Sequence, residues 1–121
     1  NQISIGMAQR VAFARCLMQK SPAILLDEPF ASLDAFTRNS LQVWLKQKVS
    51  ETQKYGLIVT HDIREALFLS EEIHVLSHIP AQIIASFYKK HEGSFSSSTQ
   101  EEFSEVALEK KIFKMLSKNS A

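Results

Sequence analysis

Along the chain, stretches with apolar residues at helical spacing alternate with short continuous apolar runs. Helical spacing predicts helices, and the continuous runs suit strands that are buried on both faces. The predicted order is a helix in 1–20, a strand in 23–26, a helix after residue 34, a strand in 57–60, a helix after residue 62, strands in 73–76 and 82–87, and a helix in 101–118. This strand–helix rhythm predicts an α/β fold with a mostly parallel sheet flanked by helices.

Polar residues mark the ends of these elements. Ser4, Asp34 and Asp62 precede helical patterns and are residue types that cap helix N-termini. Gly56 suits the turn before the second strand. The serine-rich stretch 93–100 predicts a flexible connector, and the last two strands are expected at the edge of the same sheet.

Charge, cysteine content and apolar run length limit the partners and the cellular location that the sequence predicts. A formal net charge of +1 gives no electrostatic reason to expect a nucleic-acid partner or an anionic membrane surface. The single cysteine, Cys16, has no partner for an internal disulfide, which fits a reducing compartment. No apolar run reaches the roughly 18 residues of a membrane span. We therefore expect a cytoplasmic location, with any membrane role exerted through a partner protein.

Titratable residues follow two of the predicted strands directly. Asp27 and Glu28 end the first strand, and His61 with Asp62 ends the second. Ligands of open α/β sheets bind at the carboxyl ends of the strands. Because side chains alternate along a strand, the two acids are expected to take different roles, one at a metal ion and one handling a proton.

The order of these motifs resembles that of the ATP-binding cassette (ABC) ATPases, which are P-loop NTPases. Residues 3–7 match the signature motif, residues 24–28 the Walker B strand, residues 31–34 the D-loop, and His61 the switch histidine. The resemblance implies that the chain is the C-terminal part of a nucleotide-binding domain, from the signature motif onward. The expected division is a partial ATPase domain in 1–90, a linker in 91–100 and a C-terminal helix in 101–121.

The residues of two motifs are similar to those of the same motifs in importer ATPases of the nitrate, sulfonate and taurine type. These motifs are Gly-Met-Ala-Gln-Arg-Val-Ala at 6–12 and Asp-Glu-Pro-Phe-Ala-Ser-Leu-Asp at 27–34. The resemblance implies ATP hydrolysis coupled to solute transport by a dimer of ATPase subunits. It also implies membrane permease subunits, a separate solute-binding protein and a peripheral location on the inner face of the cell membrane.

The resemblance assigns a role to each candidate residue, with ATP as the nucleotide and Mg²⁺ as the metal. Asp27 would hold Mg²⁺ directly or through a water, and Glu28 would act as general base or orient the attacking water. His61 would sense the γ-phosphate. Three further residues, Ser4, Gly6 and Asp34, are implied at the junction with the ATP of the other subunit.

Two features depart from the family pattern. The sequence has no Gly-x-x-x-x-Gly-Lys-Ser/Thr phosphate loop, and it begins at Asn1 with a helical pattern already under way. We therefore expect a fragment that neither binds nor hydrolyses ATP on its own. Ile5 stands where the family usually has glycine, and a β-branched side chain is expected to weaken close approach to phosphate.

Two other functions fit parts of this pattern. A truncated, non-catalytic remnant or dimerisation module would explain the missing phosphate loop. A chromosome or DNA-repair ABC ATPase would share the motifs, although Phe30 in the motif at 27–34 and the terminal region favour a transport protein.

Overall fold

The computed structural model describes residues 4–120, so Ile3 of the predicted signature lies outside the described part. The helices are α1 (Ile5–Met18), α2 (Ala35–Thr52), α3 (Ile63–Leu69) and α4 (Glu105–Lys118). The strands are β1 (Ala23–Asp27), β2 (Tyr55–Val59), β3 (Glu72–Leu76), β4 (Ile83–His91), β5 (Ser94–Ser97) and β6 (Glu102–Ser104). The chain divides into two compact units, Asn1–His61 and Asp62–Ala121.

In the first unit, β1 and β2 pair in parallel, with Ala23 opposite Tyr55 and Asp27 opposite Val59. Helix α2 makes the connection that two parallel strands require. This register brings the carboxyl ends of β1 and β2 to the same edge. The α/β class is therefore confirmed for this part of the chain.

The first unit is held together by an aromatic and aliphatic core. Phe13 of α1 lies edge-on to Phe30, with ring centroids 5.5 Å apart, and stacks on Trp44 of α2 at 6.5 Å. Leu41 and Leu45 of α2 are each 1% exposed. Within α1 the buried residue is Phe13, whereas Met7, Val11 and Met18 are exposed, so this helix packs through Phe13 and not through these three apolar residues.

Burial of the two parallel strands differs from the prediction. Ile24 is 5% exposed, but Leu25 is 74% exposed and Leu57 is 58% exposed. Alternate residues of a strand point to opposite faces, so residues 4–120 cover one face of this sheet and leave the other open. The prediction of strands buried on both faces is wrong for the described residues.

The second unit contains a four-stranded antiparallel sheet in the order β3-β4-β5-β6, packed against α3 and α4. Its core contains three aromatic or aliphatic residues that are at most 1% exposed: Phe87, Phe95 and Leu108. Arg64 of α3 donates from Nε to Glu109 Oε1 of α4 at 2.8 Å. The predicted strands at 73–76 and 82–87 exist, but in residues 4–120 they belong to this separate sheet.

Two predictions about the second unit are therefore wrong. The strands expected at the edge of the β1–β2 sheet pair antiparallel with each other in a sheet of their own, because the short turn between β3 and β4 permits only antiparallel pairing, whereas parallel strands need a longer crossover. The predicted linker at 91–100 contains β5, and Gly93 forms the turn before it with φ +79°. A polar stretch becomes a strand here because Phe95 packs into the core.

The helix starts follow the sequence pattern closely. Ser4, Asp34 and Asp62 each accept a hydrogen bond from a backbone N–H three residues further on, which confirms all three predicted caps. The turn before β2 uses Gln53 in the left-handed region, with φ +55°, and Gly56 lies within the strand. The predicted turn role of Gly56 is therefore wrong.

Candidate functional site

The ends of β1 and β2 bring together Glu28 and His61. Oε1 of Glu28 lies 2.8 Å from Nδ1 of His61, and their side chains are 35% and 81% exposed respectively. A polar contact this exposed adds little to stability. The contact therefore matters for the orientation of a carboxylate and an imidazole at the sheet edge where ligands bind.

The backbone at Glu28 is in a conformation that nonglycine residues rarely adopt. Its φ is +46°, directly after the last residue of β1. The Glu28 N–H still donates to the Val59 carbonyl at 2.8 Å, which extends the pairing with β2 by one residue. Strained conformations of this kind are concentrated at functional sites. Strand alternation does not determine the direction of this side chain, because Glu28 has left the extended region.

Asp27 is exposed at the end of β1. Within residues 4–120 there is no group of three or more His, Cys, Asp or Glu side chains placed to hold a metal ion. Mg²⁺ is usually held by one or two carboxylates together with substrate phosphates and waters. Asp27 therefore fits a magnesium site only as one ligand beside phosphate oxygens.

A second group of predicted residues lines a shallow groove of about 270 Å³. The lining residues come from the start of α1 and from the loop leading into α2: Ser4, Ile5, Gly6, Ser32, Leu33, Asp34 and Thr37. The structure thus brings Ser4, Gly6 and Asp34 together in one groove. A Cβ added to Gly6 would lie 2.9 Å from Thr37 Cγ2, so any other residue at this position would require the Thr37 side chain or one of the helices to shift.

The Asp34 carboxylate is held by the first turn of α2. Its Oδ2 accepts from the Thr37 N–H at 3.0 Å. Hydrogen bonds from the Thr37 side chain and then from its backbone hold the pKa of Asp34 below the ordinary carboxyl value. Asp34 is therefore charged over the whole neutral range.

This cap predicts a pH dependence. Because the folded-state pKa of Asp34 is lowered, its contribution to stability is present above the unfolded pKa and is lost as pH falls through the folded value. An asparagine at this position would also cap the helix but would not titrate. We expect the stability difference between the wild type and Asp34→Asn to be constant near neutral pH and to change only below the ordinary carboxyl range.

The measurement is urea unfolding of both proteins from neutral to acidic pH, with Asp34 titrated by carbon NMR. A difference that already changes between neutral pH and the ordinary carboxyl range would contradict the assignment.

The segment between the end of β1 and α2 is also held by Gln9 and Arg38, to which no role was assigned from the sequence. Gln9 of α1 donates from Nε2 to the Pro29 carbonyl at 2.6 Å, and Arg38 of α2 donates from Nη2 to the Leu33 carbonyl at 2.8 Å. Side chains that bind backbone carbonyls leave no pattern in the sequence beyond their polarity. The available sequence signal for a role of Gln9 was its position within the Gly-Met-Ala-Gln-Arg motif.

Comparison with known proteins shows similarity to one family. Residues 1–31 match the family model described as ABC transporter. The chain is 46% identical over 83 residues to the taurine import ATP-binding proteins TauB of Shigella flexneri and Escherichia coli (strain K12). Each match covers 69% of this chain and 32% of the relative, so the chain spans about a third of their length.

A solved structure is also similar to part of the chain. It is described as a dimeric post-hydrolysis state of an ATP-binding cassette bound to ADP and Pi. The identity is 43%, the TM-score is 0.48, and the match covers 61% of this chain and 32% of that one. On the family model and the taurine import relatives, the chain is similar to ABC transporter ATP-binding proteins.

Proposed function

We propose that this chain supplies the signature helix, the Walker B carboxylates and the switch histidine of an ATP-hydrolysing subunit of an ABC importer. The observation that carries the proposal is the 2.8 Å contact between Glu28 Oε1 and His61 Nδ1 at the common edge of two parallel strands. A base beside the ends of such strands would lie next to a ligand bound at that edge, which supports the proposal.

In this function Glu28 accepts the proton of the attacking water or orients it. Phosphoryl transfer needs little covalent chemistry from the protein, so positioning and electrostatics dominate. His61 holds the Glu28 carboxylate on one side, and its side chain is exposed enough for a phosphate oxygen to reach the ring. Asp27 is the carboxylate that would hold Mg²⁺, which neutralises charge on the phosphates when bound.

The groove at the start of α1 is proposed to face the nucleotide of a second subunit. The Ser4 and Gly6 backbone and the first turn of α1 offer N–H groups and the positive end of the helix dipole to phosphate. Asp34 lines the same groove and would contact the partner subunit. The active assembly is therefore a dimer of ATPase subunits.

The proposed setting is an importer for a small sulfonate such as taurine, in line with the names of the relatives. The ATPase dimer would work with permease subunits and a solute-binding protein, on the cytoplasmic face of the membrane. In residues 4–120 the structure contains no helix long and apolar enough to cross a membrane.

The test uses a chimera in which this chain replaces the matching region of the Escherichia coli taurine import ATP-binding protein. We expect the purified chimera to hydrolyse ATP and to restore growth on taurine as sulfur source in a strain lacking the native protein. The 121-residue chain alone is expected to show no turnover, because the sequence has no phosphate loop. An inactive chimera beside an active native protein would contradict the proposal.

Ile5 is expected to limit the activity of the chimera. Its side chain is 69% exposed at the first position of α1 and lines the groove, where it occupies space that a phosphate would need. We expect Ile5→Gly to raise the ATPase rate of the chimera, because the groove opens and the backbone N–H becomes accessible.

Ile5→Ala separates side-chain bulk from backbone freedom. An equal gain in both variants assigns the effect to bulk, and a gain in the glycine variant alone assigns it to the backbone. Unchanged or lower rates in both variants would contradict the expectation.

A second candidate function is a binding module without catalysis. It is favoured by the open apolar face of the parallel sheet, where Leu25, Leu57 and Val59 are 74%, 58% and 53% exposed. Exposed apolar surface of this kind marks an interaction site. Hydrolysis by the chimera that depends on Glu28 would argue against this candidate.

A further inference from the structure

Gln9 connects the signature helix to the turn that carries the proposed base. Its Nε2 donates to the Pro29 carbonyl at 2.6 Å across 20 residues of sequence, in a partly buried position. Pro29 itself is buried and follows Glu28 directly. The hydrogen bond therefore acts on the peptide unit next to the one that determines the direction of the Glu28 side chain.

The turn at Glu28 needs such support. Its positive φ of +46° is unfavourable for a residue with a Cβ, and a strained conformation persists only where surrounding contacts hold it. On the strand side, the Glu28 N–H is held by the Val59 carbonyl at 2.8 Å. Beyond Glu28, the Pro29 carbonyl is held by Gln9. The two contacts bracket the strained residue.

We propose that Gln9 is a positioning residue for Glu28, which keeps the carboxylate directed at His61 and at the reacting water. Gln9 touches neither substrate nor metal in this role. The inference rests on the proposed function for its effect on rate, but the effect on the Glu28–His61 contact is independent of it. Catalytic groups that are displaced by about an ångström lose up to a hundredfold in rate.

The kinetic test compares two side chains of similar length at position 9 of the chimera. Gln9→Met removes the donor without adding charge, and Gln9→Lys keeps a donor. We expect Gln9→Met to lower kcat by roughly tenfold to a hundredfold with KM for ATP changed less than about twofold. Gln9→Lys should restore most of kcat. Equal losses of kcat in both variants would contradict a role for the hydrogen bond.

Arg10→Ala is the matched control. Arg10 lies beside Gln9 on the same helix and donates from Nη2 to Ser40 Oγ at 3.2 Å, so it also joins α1 to α2 but does not touch the Glu28 turn. We expect its kcat to equal that of the unmodified chimera. A loss as large as in Gln9→Met would assign the effect to general packing of α1 and overturn the proposal.

A second measurement does not need hydrolysis. In the 121-residue chain, the ¹⁵N resonance of His61 Nδ1 reports its hydrogen bond to Glu28. We expect Gln9→Met to shift this resonance toward its position in Glu28→Gln, and Arg10→Ala to leave it in place. An unchanged resonance in Gln9→Met overturns the inference, whereas an inactive unmodified chimera contradicts only the proposed function.

Discussion

The Glu28→Gln variant of the chimera is expected to lose ATP turnover by about two orders of magnitude or more, the usual contribution of a positioned general base. Glutamine preserves the size of the side chain and its ability to accept a hydrogen bond, but it does not take up a proton. ATP binding should remain, because Glu28 is proposed to act on the water and not on the nucleotide. The measurements are the steady-state rate and binding of a fluorescent ATP analogue.

Glu51→Gln is the matched control for this experiment. Glu51 lies exposed on α2, where it pairs with Lys48 at 3.2 Å, so the same change in charge is made away from the strand ends. We expect an unchanged rate. If Glu28→Gln retains more than about a tenth of the activity, the general base is another group and the assignment of Glu28 is wrong.

The Phe95→Ala variant is expected to lower the free energy of unfolding of the second unit by about 3–5 kcal/mol, the range for truncating a fully buried phenylalanine. Phe95 is 0% exposed in β5 and packs in the cluster that contains Phe87 and Leu108. The cavity left by the ring is enclosed by β4 and α4, and rigid elements collapse poorly around a void.

Phe113→Ala provides the same chemical change at an exposed site. Phe113 of α4 is 65% exposed, and its truncation is expected to change stability by less than about 0.5 kcal/mol. Amide hydrogen exchange in β4, β5 and α4 measures the second unit, while fluorescence of the single tryptophan, Trp44, follows the first. Equal protection in Phe95→Ala and Phe113→Ala would mean that 94–97 is a flexible connector after all.

Local features of this fold are predictable from the sequence because neighbouring residues produce them. A helix cap depends on one side chain and the N–H three residues later, and Ser4, Asp34 and Asp62 all cap as predicted. The runs in 23–26 and 57–59 form strands because apolar and β-branched side chains suit an extended backbone. The helix between them leads to the parallel pairing.

Arrangement over longer distances was predicted less well. The 94–97 stretch has three serines and one phenylalanine, and composition alone indicates a linker. It is a strand because β4 offers a paired edge and the core accepts Phe95. The exposure of one face of β1 and β2 was missed for the same reason, because it depends on which elements pack against the strands. An apolar run indicates that a strand can be buried, but the face that is covered depends on the elements that pack against it.

The candidate site shows the same division. The sequence by itself determined the resemblance to a family, the identity of the residues at the strand ends and the order of their motifs, because these depend only on residue type and spacing. The tertiary structure alone decided that Glu28 meets His61, that Glu28 takes a left-handed conformation and that Gln9 reaches the Pro29 carbonyl. These contacts join residues 20 to 33 positions apart, and packing of the helices against the parallel strands is what brings them together.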